Sequence, residues 1–474
     1  MEKAVILQTE FKDVESYKSQ WEKLKASNPG LQKILQEIEK PGTALVFSHD
    51  DPDGITSGLI FKRVLQKKGW KVNLKMPEGF LLQPDQLEAA MKETTGAKAI
   101  FLLDKGTLVP YNNFADKLPV YIVDHHPTPA APEKCTYFNP SLPAYTWCST
   151  SILAHGIAAL AGVREDFDDF LCMMGLKGDW AIEPVKGILA DFAKPFFVEY
   201  GKNFKNLLTL VKERPTMFDA EQRDHTCLLS RVTEYVHATG GGGFSYFYND
   251  REPALKNVNH AECIATALEA IADKMNEVKK IESLDDFVNL LPQPQQGNLK
   301  KIFAYFLQDW ESANRILDSS ARILKLDETS IYLFVGPKVP LLPMIGSIKL
   351  FELKQNAGDK LAQIIMVSSV SNDYTHVSVR GSGDRVHSGK FCGELQDSMQ
   401  KRYADYKDKI SGGGHPKAAE CTFKTDKVTF CDVLARVTEV LSEMQLHDRL
   451  AAAGKLDDAQ KARADKLGLE YLKK

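Results

Sequence analysis

The chain has 474 residues, a length that suggests roughly two to four domains. Its 60 lysines and arginines against 63 aspartates and glutamates, net −3, argue against wholesale electrostatic attraction to nucleic acid, while leaving room for a local basic groove. Hydrophobic residues at 43% and charged residues at 26% describe a globular protein, and no run reaches the ~18 apolar residues that a membrane helix needs. Eight scattered cysteines without a Cys-x-x-Cys pair, and a start (Met1-Glu2-Lys3-Ala4-Val5) without a signal-peptide core, lead us to expect reduced thiols and a cytoplasmic protein.

Residues 1–40 carry Tyr17, Trp21, Leu24 and then Leu31, Ile34, Leu35, Ile38 at helical spacing, which predicts two peripheral helices around an Asn28-Pro29-Gly30 turn. Residues 43–47 read as a buried strand that ends in Ser48-His49-Asp50-Asp51-Pro52-Asp53-Gly54, with a helix over 55–68. A strand over 71–75 and a helix near 84–92 precede a strand over 98–103, which closes at Asp104-Lys105-Gly106-Thr107. After a short helix near 113–117, a strand over 120–123 runs straight into Asp124-His125-His126-Pro127. This alternation is the signature of a parallel, doubly wound sheet, and parallel strands deliver their carboxyl ends to one edge, where ligands sit in such folds. The strand order is not given by the sequence.

Residues 144–151 read as a loop, followed by helices over 152–160 and 167–176; the second runs into Gly178-Asp179-Trp180. From 181 to about 324 the pattern is helical, over 192–197, 204–211, 226–236, 263–278 and 299–324. A four-glycine run at 240–243 before Phe244-Ser245-Tyr246-Phe247-Tyr248 is either a flexible loop ahead of aromatic packing or a stacking platform for bases. A second α/β unit begins at 331–335, with strands over 362–367, 376–379 and 421–423. Ser411-Gly412-Gly413-Gly414-His415-Pro416 reads as a glycine-rich loop, 428–444 as a helix and 446–474 as a helix-prone tail.

Each polar cluster has an ordinary reading beside its chemical one. Asp51 and Asp53 are two ligands aimed at one site, or an Asx-type helix cap. Asp104 and Asp179 are ligands or solvated acids, and His125 and His126 are ligands or loop residues. Together, Asp51, Asp53, Asp104, His125 and Asp179, with His49, offer enough oxygen and nitrogen for two divalent metals sharing a carboxylate, ~3.5–4 Å apart in sites that transfer phosphoryl groups. Cysteine-free, carboxylate-rich ligation favours Mn or Mg, with imidazole tilting towards Mn. In the second unit Arg380 can fork onto a phosphate, or form a surface ion pair. Gly412, Gly413 and Gly414 can present N–H groups to an anion beside His415, or form a plain turn. His155, His225, His237, His260, His376, His387 and His447 have no such context and read as structural or solvated.

The set resembles a known family. Ser48-His49-Asp50-Asp51-Pro52-Asp53-Gly54-Ile55-Thr56-Ser57, Asp104, Asp124-His125-His126 and Asp179 look like the four successive motifs of the DHH phosphoesterases. Ser378-x-Arg380 and Gly413-Gly414-His415 look like the associated C-terminal domain, and within the family the chain is most similar to RecJ-like, archaeal-type single-strand nucleases. The resemblance covers roughly residues 43–180 and 330–425. With the pattern along the chain it leads us to expect five parts: an N-terminal helical segment (1–40), a DHH metal-binding domain (41–190), a helical region and connector (191–328), a smaller α/β substrate-binding domain (329–445) and a helical tail (446–474), the resemblance itself implying two lobes around a metal cleft and leaving the first, third and last parts uncovered. It further implies two Mn ions (Mg possible) held by Asp51, Asp53, Asp104, His125 and Asp179, with Asp104 bridging and His49 contributing a ligand or a hydrogen bond. Asp124 would orient an imidazole, His126 would face the scissile phosphate, and Ser378, Arg380 and His415 would hold substrate phosphate.

The implied activity is a Mn-dependent phosphodiesterase or exonuclease that cuts single-stranded DNA, RNA or short oligonucleotides through a two-metal-activated hydroxide. The alternatives are a small-substrate phosphoesterase (cyclic dinucleotide, nucleoside bisphosphate or polyphosphate) and a non-catalytic replication scaffold. Two positions depart from the pattern: Lys105 replaces the usual apolar residue of Asp-x-Gly, and Glu420 follows Ala418-Ala419 where glycine is usual. Nothing resembles the oligonucleotide-binding barrel of bacterial RecJ. No membrane partner is expected, and the oligomeric state is open.

Overall fold

A computed structural model describes residues 4–128, 130–219, 225–240, 251, 255, 258–337, 342–382 and 385–473. The chain divides into two compact units, Met1–Ala304 and Tyr305–Lys474.

The first unit is built on a wholly parallel sheet of β1 (Thr43–Ser48), β2 (Lys71–Lys75), β3 (Ala97–Leu103), β4 (Val120–Val123) and β5 (Thr136–Phe138), in the order β2-β1-β3-β4-β5. Its helices include α1 (Tyr17–Ser27), α2 (Pro29–Ile38), α3 (Pro52–Lys67), α4 (Pro84–Glu93), α5 (Asn112–Ala115), α6 (Thr150–Leu160), α7 (Asp166–Gly178), α8 (Lys194–Glu199) and α9 (Leu228–Gly240). Ala44, Val46, Ala99, Phe101 and Leu103 enter one core, while Leu45, Phe47, Ile100, Leu102 and Ile122 enter another with Tyr111 and Phe114. Burial on both faces is why these strands read as unbroken apolar runs.

The first forty residues are helical but not peripheral. Tyr17 and Trp21 are fully buried, and Trp21 fills the space that Gly156 of α6 leaves, since a Cβ there would lie 1.9 Å from the indole. The Tyr17 hydroxyl lies 2.7 Å from His155 Nδ1, and His155 Nε2 lies 2.8 Å from Asp169, so His155 is structural. Two helical expectations fail where strand pairing competes. Leu210–Val211 pairs with Thr226–Cys227, and the predicted helix over 299–324 stops at Asp318, giving way to a strand. The stretch 263–278 is two helices, His260–Glu269 and Met275–Val278, separated by a 3₁₀ turn. Gly240 closes α9; the rest of the glycine run and residues 244–248 lie outside the described residues.

The second unit is a six-stranded sheet of β6 (Ala321–Leu326), β7 (Thr329–Pro337), β8 (Leu361–Ser371), β9 (Tyr374–Gly381), β10 (Ile410–Gly414) and β11 (Ala418–Phe423), in the order β6-β7-β8-β9-β11-β10. Only the β7–β8 pair is parallel. Its helices are α10 (Leu342–Asn356), α11 (Ser388–Arg402), α12 (Phe430–Ala452) and α13 (Asp458–Lys466). The tail joins the core through Ala464, Leu467 and Leu469. Residues 410–414 are therefore an edge strand rather than a loop, laid against α11 so closely that a Cβ on Gly412 would come within 2.6 Å of the Cys392 carbonyl.

Among the described residues no helix is long and apolar enough to cross a membrane, and none of the cysteines forms a disulfide.

Candidate metal centre

The strand order of the first unit reverses between β1 and β3, and in open parallel sheets the crevice outside such a switch point receives ligands. Asp51 and Asp53 follow β1, Asp104 follows β3, Asp124, His125 and His126 follow β4, and Asp179 caps the end of α7.

Asp51 and Asp104 are each held by the fold through one oxygen, and Asp53 through both. Asp51 caps α3: its Oδ1 accepts the Gly54 N–H at 2.9 Å, while Oδ2 lies 3.1 Å from His49 Nδ1. The cap and ligand readings of Asp51 are thus compatible, one oxygen for each. Asp53 sits on the N-terminus of α6, accepting the N–H groups of Thr150 (2.6 Å) and Ser151 (2.8 Å) and the Ser151 hydroxyl. That approach requires Gly175 on α7, where a Cβ would lie 1.9 Å from Ser151 Oγ and 2.7 Å from Asp53 Oδ1. Asp104 takes a left-handed backbone (φ 58°) and accepts the Thr150 hydroxyl at 3.0 Å.

The side chains meet in three groups: His49, Asp51 and Asp104; Asp104, His125 and His126; and Asp53, His125 and Asp179. Asp104 faces two of them with different oxygens. Its Oδ2 is 3.8 Å from His49 Nδ1, while its Oδ1 is 3.5 Å from His125 Nε2 and 3.6 Å from His126 Nδ1. His125 Nε2 is 2.9 Å from Asp179 Oδ2 and 3.8 Å from Asp53 Oδ2. Three buried atoms of this cluster, His49 Nδ1, His125 Nε2 and Asp179 Oδ2, lie at ion-pair distance from a neighbour without hydrogen-bond geometry. Buried polar atoms are ordinarily hydrogen-bonded, so atoms that converge in a nest of acids and imidazoles without such bonds fit divalent cations.

The electrostatics agree. Burial, then the neighbouring Asp104, pushes Asp53 up to about 7. Burial, then Asp53, pushes Asp179 up to about 7, and burial with Asp51 raises Asp104. For His49, burial is outweighed by Asp51, which raises the imidazole to about 9. Crowded carboxylates of this kind favour a bound cation.

Asp124 does a different job. It is fully buried, takes the Thr107 hydroxyl at 3.0 Å and lies 2.9 Å from His126 Nδ1, while Asn139 donates to the His126 carbonyl at 2.8 Å. His126 is thereby fixed with its side chain 40% exposed.

Four participants were invisible in the sequence: Thr150, Ser151, Asn139 and Phe80. The Phe80 ring stands edge-on to His126 (4.8 Å between centroids) and to His49 (5.9 Å). The segment bearing it is tied down by buried Lys105, whose Nζ donates to the carbonyls of Pro77 (2.9 Å) and Gly79 (2.5 Å). The Tyr111 hydroxyl joins the Lys105 carbonyl to the Leu82 N–H. The cation in the motif is therefore a clamp on one wall of the site. Lys105→Met leaves two carbonyls unpaired and is expected to speed amide exchange at Leu82 about tenfold, readable by hydrogen-exchange mass spectrometry. Unchanged protection at residues 77–82 would count against the clamp. His237, read as contextless, is half-buried near enough to Asp51 and His49 to feel both; desolvation of its ring drives it down to about 4.

In the second unit Ser378 and Arg380 come together, Arg380 Nη1 donating to Ser378 Oγ at 2.9 Å. The anticipated amide nest is partly spent within the fold: the Gly412 N–H donates to Gln396 at 2.5 Å and the His415 N–H to the Ala418 carbonyl at 2.8 Å. The His415 side chain is exposed.

Residues 43–172 match the DHH family, N-terminal domain. No curated protein matches the chain. Among solved structures, the exonuclease RecJ bound to manganese is similar at 16% identity, over 88% of this chain and 95% of that one, with a TM-score of 0.51. The DHH domain of a protein described as a member of a family of ribosomal proteins is similar at 14% identity, over 90% and 93%, with a TM-score of 0.54. RecJ from Thermus thermophilus in complex with Mn²⁺ is 15% identical over 88% of this chain, which spans only 55% of that protein, at a TM-score of 0.48. At such identities the likeness establishes the fold alone. The ligand clusters and the DHH-family domain together support a metal-dependent phosphoesterase activity.

Proposed function

We propose that the protein is a Mn-dependent phosphodiesterase that hydrolyses single-stranded nucleic acid or short oligonucleotides from one end. The observation that carries this is Asp104, whose two oxygens address separate ligand groups. A pair of divalent ions would be held by Asp51, Asp53, Asp104, His125 and Asp179, with His49 completing one set. When bound, they supply an acidified water and neutralise charge on phosphate oxygens.

The chain's own residues do the rest. His126, half-exposed and held by buried Asp124, positions or protonates the ester oxygen. Thr150 and Ser151 fix Asp53, and Thr150 fixes Asp104, before substrate arrives, so little reorganisation is needed during reaction. Ser378, Arg380, Gly413, Gly414 and His415 of the second unit would hold substrate phosphate, while the Gly412 N–H is already given to Gln396. The nuclease named among the similar structures supports this choice of substrate.

A Mn-supported hydrolysis panel tests it: long single-stranded DNA, long RNA, a dinucleotide, a nucleoside bisphosphate and polyphosphate. Shortening of the long strands from one end, or turnover of the dinucleotide, is the expected result. Release from the bisphosphate or polyphosphate alone moves the protein to the small-substrate class. Bound metal with no turnover on any of them refutes the enzyme reading in favour of a scaffold.

A further inference from the structure

We infer that Glu420 sets the charge class of the phosphate group the second unit accepts, cancelling the preference for a phosphomonoester dianion over a phosphodiester monoanion that Arg380 alone would give. The inference rests on the proposed role of Arg380 and deepens it.

Residues His376, Ser378 and Arg380 alternate along β9 and so share one face of the sheet. Glu420 of β11 lies directly across from Ser378 in the register, on that same face. Its Oε1 is 3.0 Å from Arg380 Nη2 and its Oε2 is 3.1 Å from His376 Nε2. The guanidinium cannot swing away, because Nη1 also donates to Ser378 Oγ (2.9 Å) and to the carbonyls of Val379 (3.0 Å) and Ala419 (3.3 Å). The Arg380 side chain is 15% exposed and that of Glu420 46%, so the carboxylate occupies the solvent side of the pair.

An anion approaching Arg380 therefore meets a fixed negative charge at contact range. The pair is neutral as a unit. Attraction to the guanidinium and repulsion from the carboxylate both scale with ligand charge, so the presence of Glu420 costs a dianion twice what it costs a monoanion. The shorter glycine that the motif resemblance leads one to expect at this position would leave the arginine uncompensated and would favour terminal phosphates. Glu420 instead points to internal diesters, or to ends that lack a phosphate, as the groups this face receives.

Calorimetric titration of the full-length chain tests this with two probes, inorganic phosphate at about pH 8, where it is a dianion, and dimethyl phosphate, a monoanion. Glu420→Gln keeps the shape and removes the charge. It is expected to tighten inorganic phosphate about tenfold and dimethyl phosphate only about threefold, the square root expected for half the charge. The gain should vanish in the Glu420→Gln/Arg380→Met double variant. Equal gains on both probes, no gain on phosphate, or a gain that survives loss of Arg380 would each overturn the inference. Glu420→Gly is a second route to the same comparison if the glutamine variant folds poorly. The readout needs no turnover: a silent hydrolysis panel with the calorimetric shift intact refutes the proposed activity alone, and the reverse refutes this inference alone.

Discussion

Replacing Asp104 by asparagine is expected to cut hydrolysis about a thousandfold or more while raising the melting temperature of the metal-free protein. The two effects have opposite signs for one reason. Asp104 is buried, and burial together with the charge of Asp51 raises its carboxyl, so its ionised form is a cost to the folded chain. Asparagine removes that cost and still accepts the Thr150 hydroxyl that Asp104 Oδ1 accepts at 3.0 Å. It also tolerates the left-handed backbone at this position, φ 58°, better than alanine does, which makes Asp104→Ala the poorer test. What asparagine cannot do is present two anionic oxygens to two ligand groups. Scanning calorimetry with and without Mn²⁺, beside a rate measurement, checks the prediction. The metal-free variant should melt above the parent, and added metal should raise its melting temperature less. A variant that melts lower and hydrolyses at the parent's rate would remove Asp104 from the centre of the site.

The sequence carried this site unusually well because most of its acids and imidazoles fall at strand ends, where unbroken apolar runs stop. The residues that hold them were not legible. Asp53 depends on Thr150 and Ser151, nearly a hundred positions away, and on Gly175, whose only contribution is the absence of a Cβ. No local pattern announces such a contact. The three-residue strand β5 is too short to show a period of two. Residues 321–326 carry leucine, isoleucine and long polar side chains that suit a helix, yet pairing with β7 makes them a strand, a case of tertiary context overriding propensity. The glycines at 412–414 look like a turn because they lack side chains; they are a strand because β11 supplies partners, and at Gly412 α11 leaves no room for a Cβ. Glu420 was visible as a departure, but its meaning appeared only when the register set it opposite Ser378.

Metal removal should make stability fall steeply with pH. Asp53 and Asp179 are raised to about 7 by burial, with Asp104 and Asp53 respectively the next cause. Between about pH 4 and 7 the folded chain therefore binds more protons at these acids than the unfolded chain does, so its stability falls as pH rises through that window. His49 and His126, where carboxylates outweigh burial and lift the imidazoles to about 9, act in the same direction. Their contribution is full below about 6.5 and is lost as pH climbs through 9. Asp51 and Asp124 are buried too, but His49 and His126 respectively outweigh that cost and hold them below the usual carboxylate range. Their contribution is lost only in more acidic solution. The metal-free protein should accordingly be most stable near pH 4 and weaken towards pH 9. Divalent metal reverses the slope, because it binds the deprotonated ligands. At a thousandfold excess over Kd it is worth about 4 kcal/mol, or roughly 8 °C in melting temperature for a unit of this size. Melting curves at pH 5, 7 and 9 with EDTA or Mn²⁺ measure both slopes. A metal-induced shift equal at all three values would mean that these acids and imidazoles are not the ligands.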